Sequence, residues 1–116
     1  MQFLYRLEVV RAALLTEGPT PEEEAVLERH FTYLQHLTRA GVVLLAGRTT
    51  RPGGEGFGIV VFEAASEAEA RERMHGDPAV ASGVMRAALF PFRIALASRR
   101  PLLPPDAGGE AAEGLA

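Results

Sequence analysis

Apolar residues recur along the chain with two different periods, and these periods divide it into strands and helices. Residues 2–10 alternate, so that one face of the segment is wholly apolar, as in a strand buried on one side. Residues 21–40 place apolar side chains three and four positions apart, which is the spacing of an amphipathic helix. The same reasoning predicts strands at 2–10, 42–48, 58–64 and 86–97, helices at 21–40 and 66–75, a further short helix that begins at 77–78, and loops at 11–19 and 49–56.

The longest predicted helix carries signals at both ends. Thr20 and Glu23 have the T-x-x-E spacing of a capping box, and Gly41 is the left-handed stop expected after the last turn. The helical phase separates two of the three histidines of the chain: His30 lies at the edge of the apolar stripe, whereas His36 falls on the hydrated face. On the residues alone, His30 is predicted to be a partly buried histidine that one hydrogen bond satisfies.

Two of the predicted strands carry arginines opposite their apolar faces. Arg6 interrupts the second face of the first strand, where it either belongs to a solvated face with a cross-strand ion pair or lines a pocket for an anion. Arg93 faces away from the phenylalanines of the last strand. Pro91 cannot donate a ladder hydrogen bond, so this strand is predicted at a sheet edge.

The order of the predicted elements is β-α-β-β-α-β with an extra short helix before the last strand. This order predicts an α+β, ferredoxin-like fold with the helices on one face of an antiparallel sheet. The two strands of the predicted central hairpin, 42–48 and 58–64, are apolar on both faces, so the face without helices needs a partner. We therefore expect a homodimer whose sheets pack face to face, as a dimeric α+β barrel. Residues 1–98 are predicted to form the domain, and 99–116 a tail rich in Pro, Gly and Ala.

Composition and charge exclude several classes of function. The net charge is −3, and the twelve basic residues are all arginines dispersed along the chain, so a nucleic-acid partner is not expected. Without cysteine there is no disulfide, thiol catalysis or cysteine–zinc site. Neither a phosphate-binding glycine motif nor metal-ligand spacing of histidines occurs, so we expect no cofactor and no metal.

No apolar run approaches the roughly 20 residues of a membrane span, and charges interrupt the first apolar stretch. These features predict a cytoplasmic protein without a membrane partner or signal peptide. The absence of Asn and Cys fits a thermophilic source, and the use of Arg without Lys fits either such a source or GC-rich codons.

Several segments, taken in order, resemble the YciI-like (YCII-related) family over residues 2–97. They are M-Q-F-L-Y-R-L, G-P-T-P-E-E with H-F-T-Y-L-Q-H-L-T-R-A-G-V-V-L-L-A-G-R, G-I-V-V-F-E-A, and G-D-P-A-V-A-S-G-V-M. The resemblance implies a dimeric α+β barrel with a His–Asp pair in a cleft, carried here by His30 and Asp77. The chain departs from the family pattern at Arg48, where a proline is usual, and at Ala79, where an aromatic residue is frequent.

A histidine oriented by an aspartate is a general acid–base unit. Because no serine has the setting of a nucleophile, the resemblance favours a lyase or isomerase acting on a small organic acid over a hydrolase. Arg6, Arg48 and Arg93 are the candidates to hold the carboxylate of that acid. The alternative is a non-catalytic, ligand-binding or regulatory dimer in which Asp77 only caps the short helix that Pro78 begins.

Overall fold

The computed structural model describes residues 1–52 and 55–103. The described residues form one antiparallel sheet with the strand order β2-β3-β1-β4, which is the ferredoxin-like topology that the sequence predicts. β4 lies at an edge, as Pro91 requires. The elements are β1 (Gln2–Val9), α1 (Ala13–Glu17), α2 (Pro21–Arg39), β2 (Val43–Arg48), β3 (Gly58–Glu63), α3 (Glu67–Gly76), α4 (Pro78–Ala81) and β4 (Met85–Phe92).

The helix α1 lies where the sequence predicts a loop, so that prediction is wrong. Leu14 donates its backbone N–H to the Arg11 carbonyl (2.9 Å), and Gly18 donates to the Leu14 carbonyl (3.1 Å). The Leu14 side chain is buried. Tertiary burial of this leucine therefore supports a helix that is too short to be stable by local propensity.

The last strand ends at Phe92 rather than at residue 97. Its neighbour β1 begins at Gln2, which pairs with Phe92, so β1 offers no backbone partner beyond this point. The N–H of Ile94 instead donates to the Gln2 side-chain carbonyl, 2.8 Å away. Leu96 consequently lies outside the sheet and is 94% exposed. The predicted tail is described only as far as residue 103, and the rest of it, like residues 53–54 of the predicted 49–56 loop, lies outside the described residues.

The core lies between the sheet and α2 and α3. Phe3 and Tyr5 of β1 pack against Phe62 of β3, with ring centroids 6.0 and 5.5 Å apart. Leu34 of α2 and Met74 of α3 cover this aromatic cluster. Burial of each large apolar side chain contributes about 1.5–3 kcal/mol, so this layer fixes both helices on the sheet.

The start of α2 is anchored by the predicted capping box. The Glu23 N–H donates to the Thr20 hydroxyl (3.1 Å), and the Glu23 carboxylate accepts from the Thr20 N–H (2.9 Å). Arg11 also donates to this carboxylate, at 2.6 and 2.9 Å. At the other end Gly41 has φ +78°, the left-handed conformation that glycine adopts without strain. These anchors hold the two ends of α2, the helix that carries His30.

The sheet face opposite the helices carries apolar side chains that are partly exposed. Leu4 lies between Val61 and Phe90 in the register of the sheet. Phe90 is 48% exposed and Phe92 41% exposed. Among the described residues, no helix combines the length and the apolar character that a membrane crossing needs.

Candidate functional site

His30 is on the inward face of α2 and is only 2% exposed. Its Nδ1 lies 2.7 Å from Oδ1 of Asp77. Because a carboxylate oxygen accepts hydrogen bonds, this contact assigns the ring proton to Nδ1 and leaves Nε2 as the basic nitrogen of the neutral ring. The hydrogen bond thus selects the tautomer of a buried histidine.

Asp77 lies between α3 and α4 and is fully buried. Its Oδ1 also accepts the N–H of Ala79 (2.9 Å), so Asp77 is the N-cap of α4, with Pro78 as the first helical residue. The sequence supports a capping role and a His-orienting role as alternatives. In the structure, one oxygen makes both contacts.

Tyr5 is a third donor to the same carboxylate, and sequence reasoning missed it. Its hydroxyl donates to Oδ2 of Asp77 at 2.7 Å. Burial, and then the nearby Asp77 carboxylate, raise the pKa of Tyr5 well above its ordinary value, so the hydroxyl keeps its proton while the protein is folded. In the sequence, this contact is indicated only by a tyrosine on the apolar face of a strand, because a buried tyrosine hydroxyl usually has a hydrogen-bond partner.

Tyr33 attaches α2 to the end of α3 next to this site. Its hydroxyl donates to the Arg73 carbonyl at 2.7 Å, and burial raises the pKa of this hydroxyl as well. A Cβ at Gly76 would come within 3.1 Å of the Tyr33 oxygen, so the absence of a side chain there permits the close approach. The contact joins the last turn of α3 to α2.

His30 forms part of the wall of a cavity of about 270 Å³ between the sheet and the helices α1 and α2. Among the described residues, the polar side chains on this wall are those of His30, Arg48 and Thr49. Most of the remaining wall is apolar, and it includes Leu7, Val9, Leu14, Leu15, Leu27, Leu34, Ala46, Phe57, Val60 and Met85. A mostly apolar concave site with a few polar groups is typical of small-molecule binding.

Arg48 reaches the cavity because of an irregularity in β2. The register between β2 and β3 shifts between Val43 and Leu45, so one strand gains a residue relative to the other. After this bulge, Arg48 pairs with Gly58 and lies on the side of the sheet that faces the helices. The bulge therefore determines which of the β2 side chains meet the cavity.

The other two candidate arginines lie elsewhere. Arg6 is on the open face of the sheet, with its guanidinium carbon 4.3 Å from the ring centroid of Phe57. Phe57 lines the cavity, so Arg6 contacts the wall of the cavity from outside. Arg93 follows β4, is exposed, and is not part of the wall. The structure thus brings His30 and Arg48 to one cavity, with Asp77 behind His30.

The remaining histidines, His36 and His75, are exposed on α2 and α3. In the part of the chain that the structure describes, no three side chains of the metal-binding types His, Cys, Asp and Glu come together as a metal site.

Comparisons with known proteins identify a family and a fold. The sequence matches the family model of the YCII-related domain over residues 2–93. The fold is similar to that of 5-chloro-2-hydroxyhydroquinone dehydrochlorinase (TftG) from Burkholderia phenoliruptrix AC1100, solved in complex with 2,5-dihydroxybenzoquinone. The TM-score is 0.58 at 19% sequence identity, over 80% of this chain and 94% of that one. No curated protein matches the sequence.

Proposed function

The chain belongs to the YCII-related family, and on that premise we propose that it is a small-molecule lyase or isomerase in which His30 and Asp77 move a proton on a small organic acid. The observation that carries this proposal is the 2.7 Å hydrogen bond between the two side chains at the wall of an apolar cavity. A buried histidine with a fixed tautomer and an open side toward a cavity is suited to general acid–base chemistry.

In the proposed mechanism, Nε2 of neutral His30 removes a proton from a carbon of the bound substrate. Asp77 stabilises the imidazolium that forms, because its carboxylate already accepts the Nδ1 proton. In an elimination, the electron pair of the broken C–H bond forms a double bond as the leaving group departs with its own bonding pair. In an isomerisation, His30 returns the proton to a different carbon. Such proton transfer contributes about 10²–10⁴-fold to rate.

The cavity restricts the class of substrate. Its volume of about 270 Å³ lies just below the range of about 300–1,000 Å³ that is usual for ligand pockets, which favours a small substrate. The apolar wall favours a substrate with an apolar body, and the Arg48 guanidinium is suited to a carboxylate or a phenolate. The fold is similar to that of a dehydrochlorinase solved with 2,5-dihydroxybenzoquinone. This similarity supports a ligand of comparable size for this cavity and an elimination as the reaction.

A second candidate function is ligand binding or regulation without catalysis. It is favoured by the contact between Asp77 and the Ala79 N–H, which gives the aspartate a structural role of its own, and by the very low exposure of His30. In this alternative the cavity holds a ligand, but no bond of that ligand changes.

Both candidate functions include assembly as a homodimer through the open face of the sheet. The apolar side chains of this face, among them Leu4, Phe90 and Phe92, would be covered by the same face of a second copy. Cross-strand neighbours Arg86 and Glu8, whose charged groups are 3.7 Å apart, lie at one end of this face.

The experiment that tests the proposal begins with a thermal-shift screen of small carboxylates, lactones and hydroxylated quinones. Each compound that raises the melting temperature is then incubated with the protein and examined by mass spectrometry and proton NMR for a product or for solvent deuterium at a substrate carbon. Conversion or deuterium incorporation supports the enzyme, whereas binding without either supports the ligand-binding alternative. Stabilisation by none of the compounds counts against both.

A further inference from the structure

Tyr5 joins the central strand β1 to the buried carboxylate of Asp77, 72 positions later in the sequence. We propose that Tyr5 is a positioning residue for the acid–base pair: its hydroxyl holds the plane of the Asp77 carboxylate, and through it the orientation and tautomer of His30. The catalytic consequence of this inference rests on the proposed function, whereas the orientation of His30 is a property of the resting protein.

The need for Tyr5 follows from how the three donors are distributed. Two of them, the His30 Nδ1–H and the Ala79 N–H, bind the same oxygen, Oδ1. The torsion that rotates a carboxylate about its Cβ–Cγ bond is broad, so two donors on one oxygen leave the other oxygen weakly constrained. Tyr5 binds that second oxygen, Oδ2, at 2.7 Å. With both oxygens held, the carboxylate has one favoured plane.

Tyr5 is itself held rigidly. Its backbone pairs with Val60 on one side and Leu89 on the other, in the interior of the sheet. Its ring makes an edge contact with Phe62, with centroids 5.5 Å apart and an interplanar angle of 70°. The side chain is buried, and its hydroxyl is protonated in the folded protein. A rigid, permanent donor is suited to fix a flexible acceptor.

The three groups come from three different parts of the fold. His30 is on α2, Asp77 is on the connection between α3 and α4, and Tyr5 is on β1. The Tyr5 hydrogen bond therefore sets the position of Asp77 relative to the sheet, and Asp77 transmits that position to the ring on α2. Without the Tyr5 hydrogen bond, a small shift of α4 would move the Asp77 carboxylate and change its contact with His30.

The test observes the ring nitrogens of His30 by NMR in the full-length, ¹⁵N-labelled protein, because protonated and unprotonated ring nitrogens resonate at well-separated frequencies. We expect a single tautomer with the proton on Nδ1 in the wild type. Tyr5→Phe keeps the ring but deletes the hydroxyl. We expect it to populate both tautomers and to speed exchange of the Nδ1 proton with water by about three- to tenfold, the effect of one lost hydrogen bond.

The matched control is Tyr33→Phe, which deletes a neighbouring hydroxyl that donates to the Arg73 carbonyl instead. We expect its His30 signals to match the wild type. The proposal is overturned if Tyr5→Phe leaves the tautomer and exchange rate unchanged, or if Tyr33→Phe alters them equally. Since no substrate is used, this result is independent of whether the protein proves to be an enzyme.

A second measurement covers the case in which Tyr5→Phe does not fold. The chain has two tyrosines, so 3-fluorotyrosine incorporated into the Tyr33→Phe protein labels Tyr5 alone. The fluorinated phenol is a stronger donor and draws electron density from Asp77. We therefore expect the Nδ1 proton of His30 to move upfield, and an unchanged signal would overturn the proposal.

Discussion

His30 and Asp77, 47 positions apart in the sequence, meet through a hydrogen bond of 2.7 Å between Nδ1 and Oδ1. The same oxygen caps α4 through the Ala79 N–H. The capping role of Asp77 and its contact with His30 therefore reinforce each other, because the helix cap holds the carboxylate at the place where the imidazole needs it. The pair is positioned at the wall of an apolar cavity that also includes Arg48.

The substitution Asp77→Asn separates the charge of this residue from its capping role. Asparagine is as good an N-cap as aspartate, so α4 should form. Because Oδ1 of Asp77 makes both contacts, the asparagine oxygen that caps α4 also accepts the Nδ1 proton, but a neutral amide stabilises the imidazolium much less than a carboxylate does. We expect kcat to fall by about 10²–10⁴-fold and the free energy of unfolding to fall by about 1–3 kcal/mol, through loss of charged hydrogen bonds. Steady-state kinetics and urea unfolding measure the two effects. Unchanged kcat would contradict the role of Asp77.

Arg48→Gln tests how the cavity recognises an anion. A charge-assisted hydrogen bond contributes about 1.5–3 kcal/mol, so a carboxylate ligand should bind about 10–100-fold more weakly. Arg6→Gln and Arg93→Gln should weaken binding less, because neither side chain lies on the cavity wall. Arg29→Gln, on the exposed face of α2, is a control for the change in net charge. Titration calorimetry with the best ligand of the screen ranks the four variants by affinity. A larger loss of affinity in Arg93→Gln than in Arg48→Gln would contradict the assignment of Arg48 as the anion-binding residue.

The contact between Arg11 and Glu23 predicts how stability depends on pH. Hydrogen bonds from Arg11, and then from the Thr20 N–H, lower the pKa of Glu23 from 4.5 to about 2. The folded state thus favours the ionised carboxylate, so this contribution to stability is present above pH 4.5 and is lost as the pH falls from there through 2. Melting temperatures between pH 7 and 2 should show Glu23→Gln less stable than the wild type at neutral pH and equal to it at the acid end. Arg11→Gln, which removes the partner of Glu23, should also be less stable than the wild type at neutral pH and converge with it at the acid end.

The exposed phenylalanines of β4 predict the oligomeric state. We expect the wild type to sediment as a dimer at micromolar concentration, because Phe90 and Phe92 would be covered by the second copy. Phe90→Glu should shift the protein to the monomer, since it places a charge in the apolar contact. Leu96→Glu introduces the same charge at an exposed residue outside the sheet and should leave the dimer intact. A monomeric wild type would contradict the proposed assembly.

Features encoded by neighbouring residues could be predicted from the sequence, and features that depend on distant residues could not. Thr20, Glu23 and Gly41 determine the ends of α2 locally, and the sequence predicts both ends to within one residue. The end of β4 depends on where β1 begins, because Phe92 pairs with Gln2, 90 positions earlier in the sequence. The local pattern of apolar residues therefore predicts this end too late, at residue 97. The local sequence does not predict α1, because the stability of this helix comes from burial of Leu14 against the rest of the fold.

The candidate site follows the same division. His30 was recognised as inward-facing from its helical phase, but its pairing with Asp77 came from family resemblance, because no local pattern connects the two. Periodicity places Tyr5 on the apolar face of β1, but it does not report what the hydroxyl binds. The orientation of Arg48 depends on a bulge in β2, which the near-continuous apolar run of that strand does not reveal.

The most direct test of the role of His30 is the turnover number of His30→Gln with a compound that binds in the thermal-shift screen and that the wild type converts. If the imidazole moves the proton, kcat should fall by about 10²–10⁴-fold, while the thermal shift produced by the compound is retained. A His30→Gln protein that binds and converts the compound at the wild-type rate would contradict the proposed function.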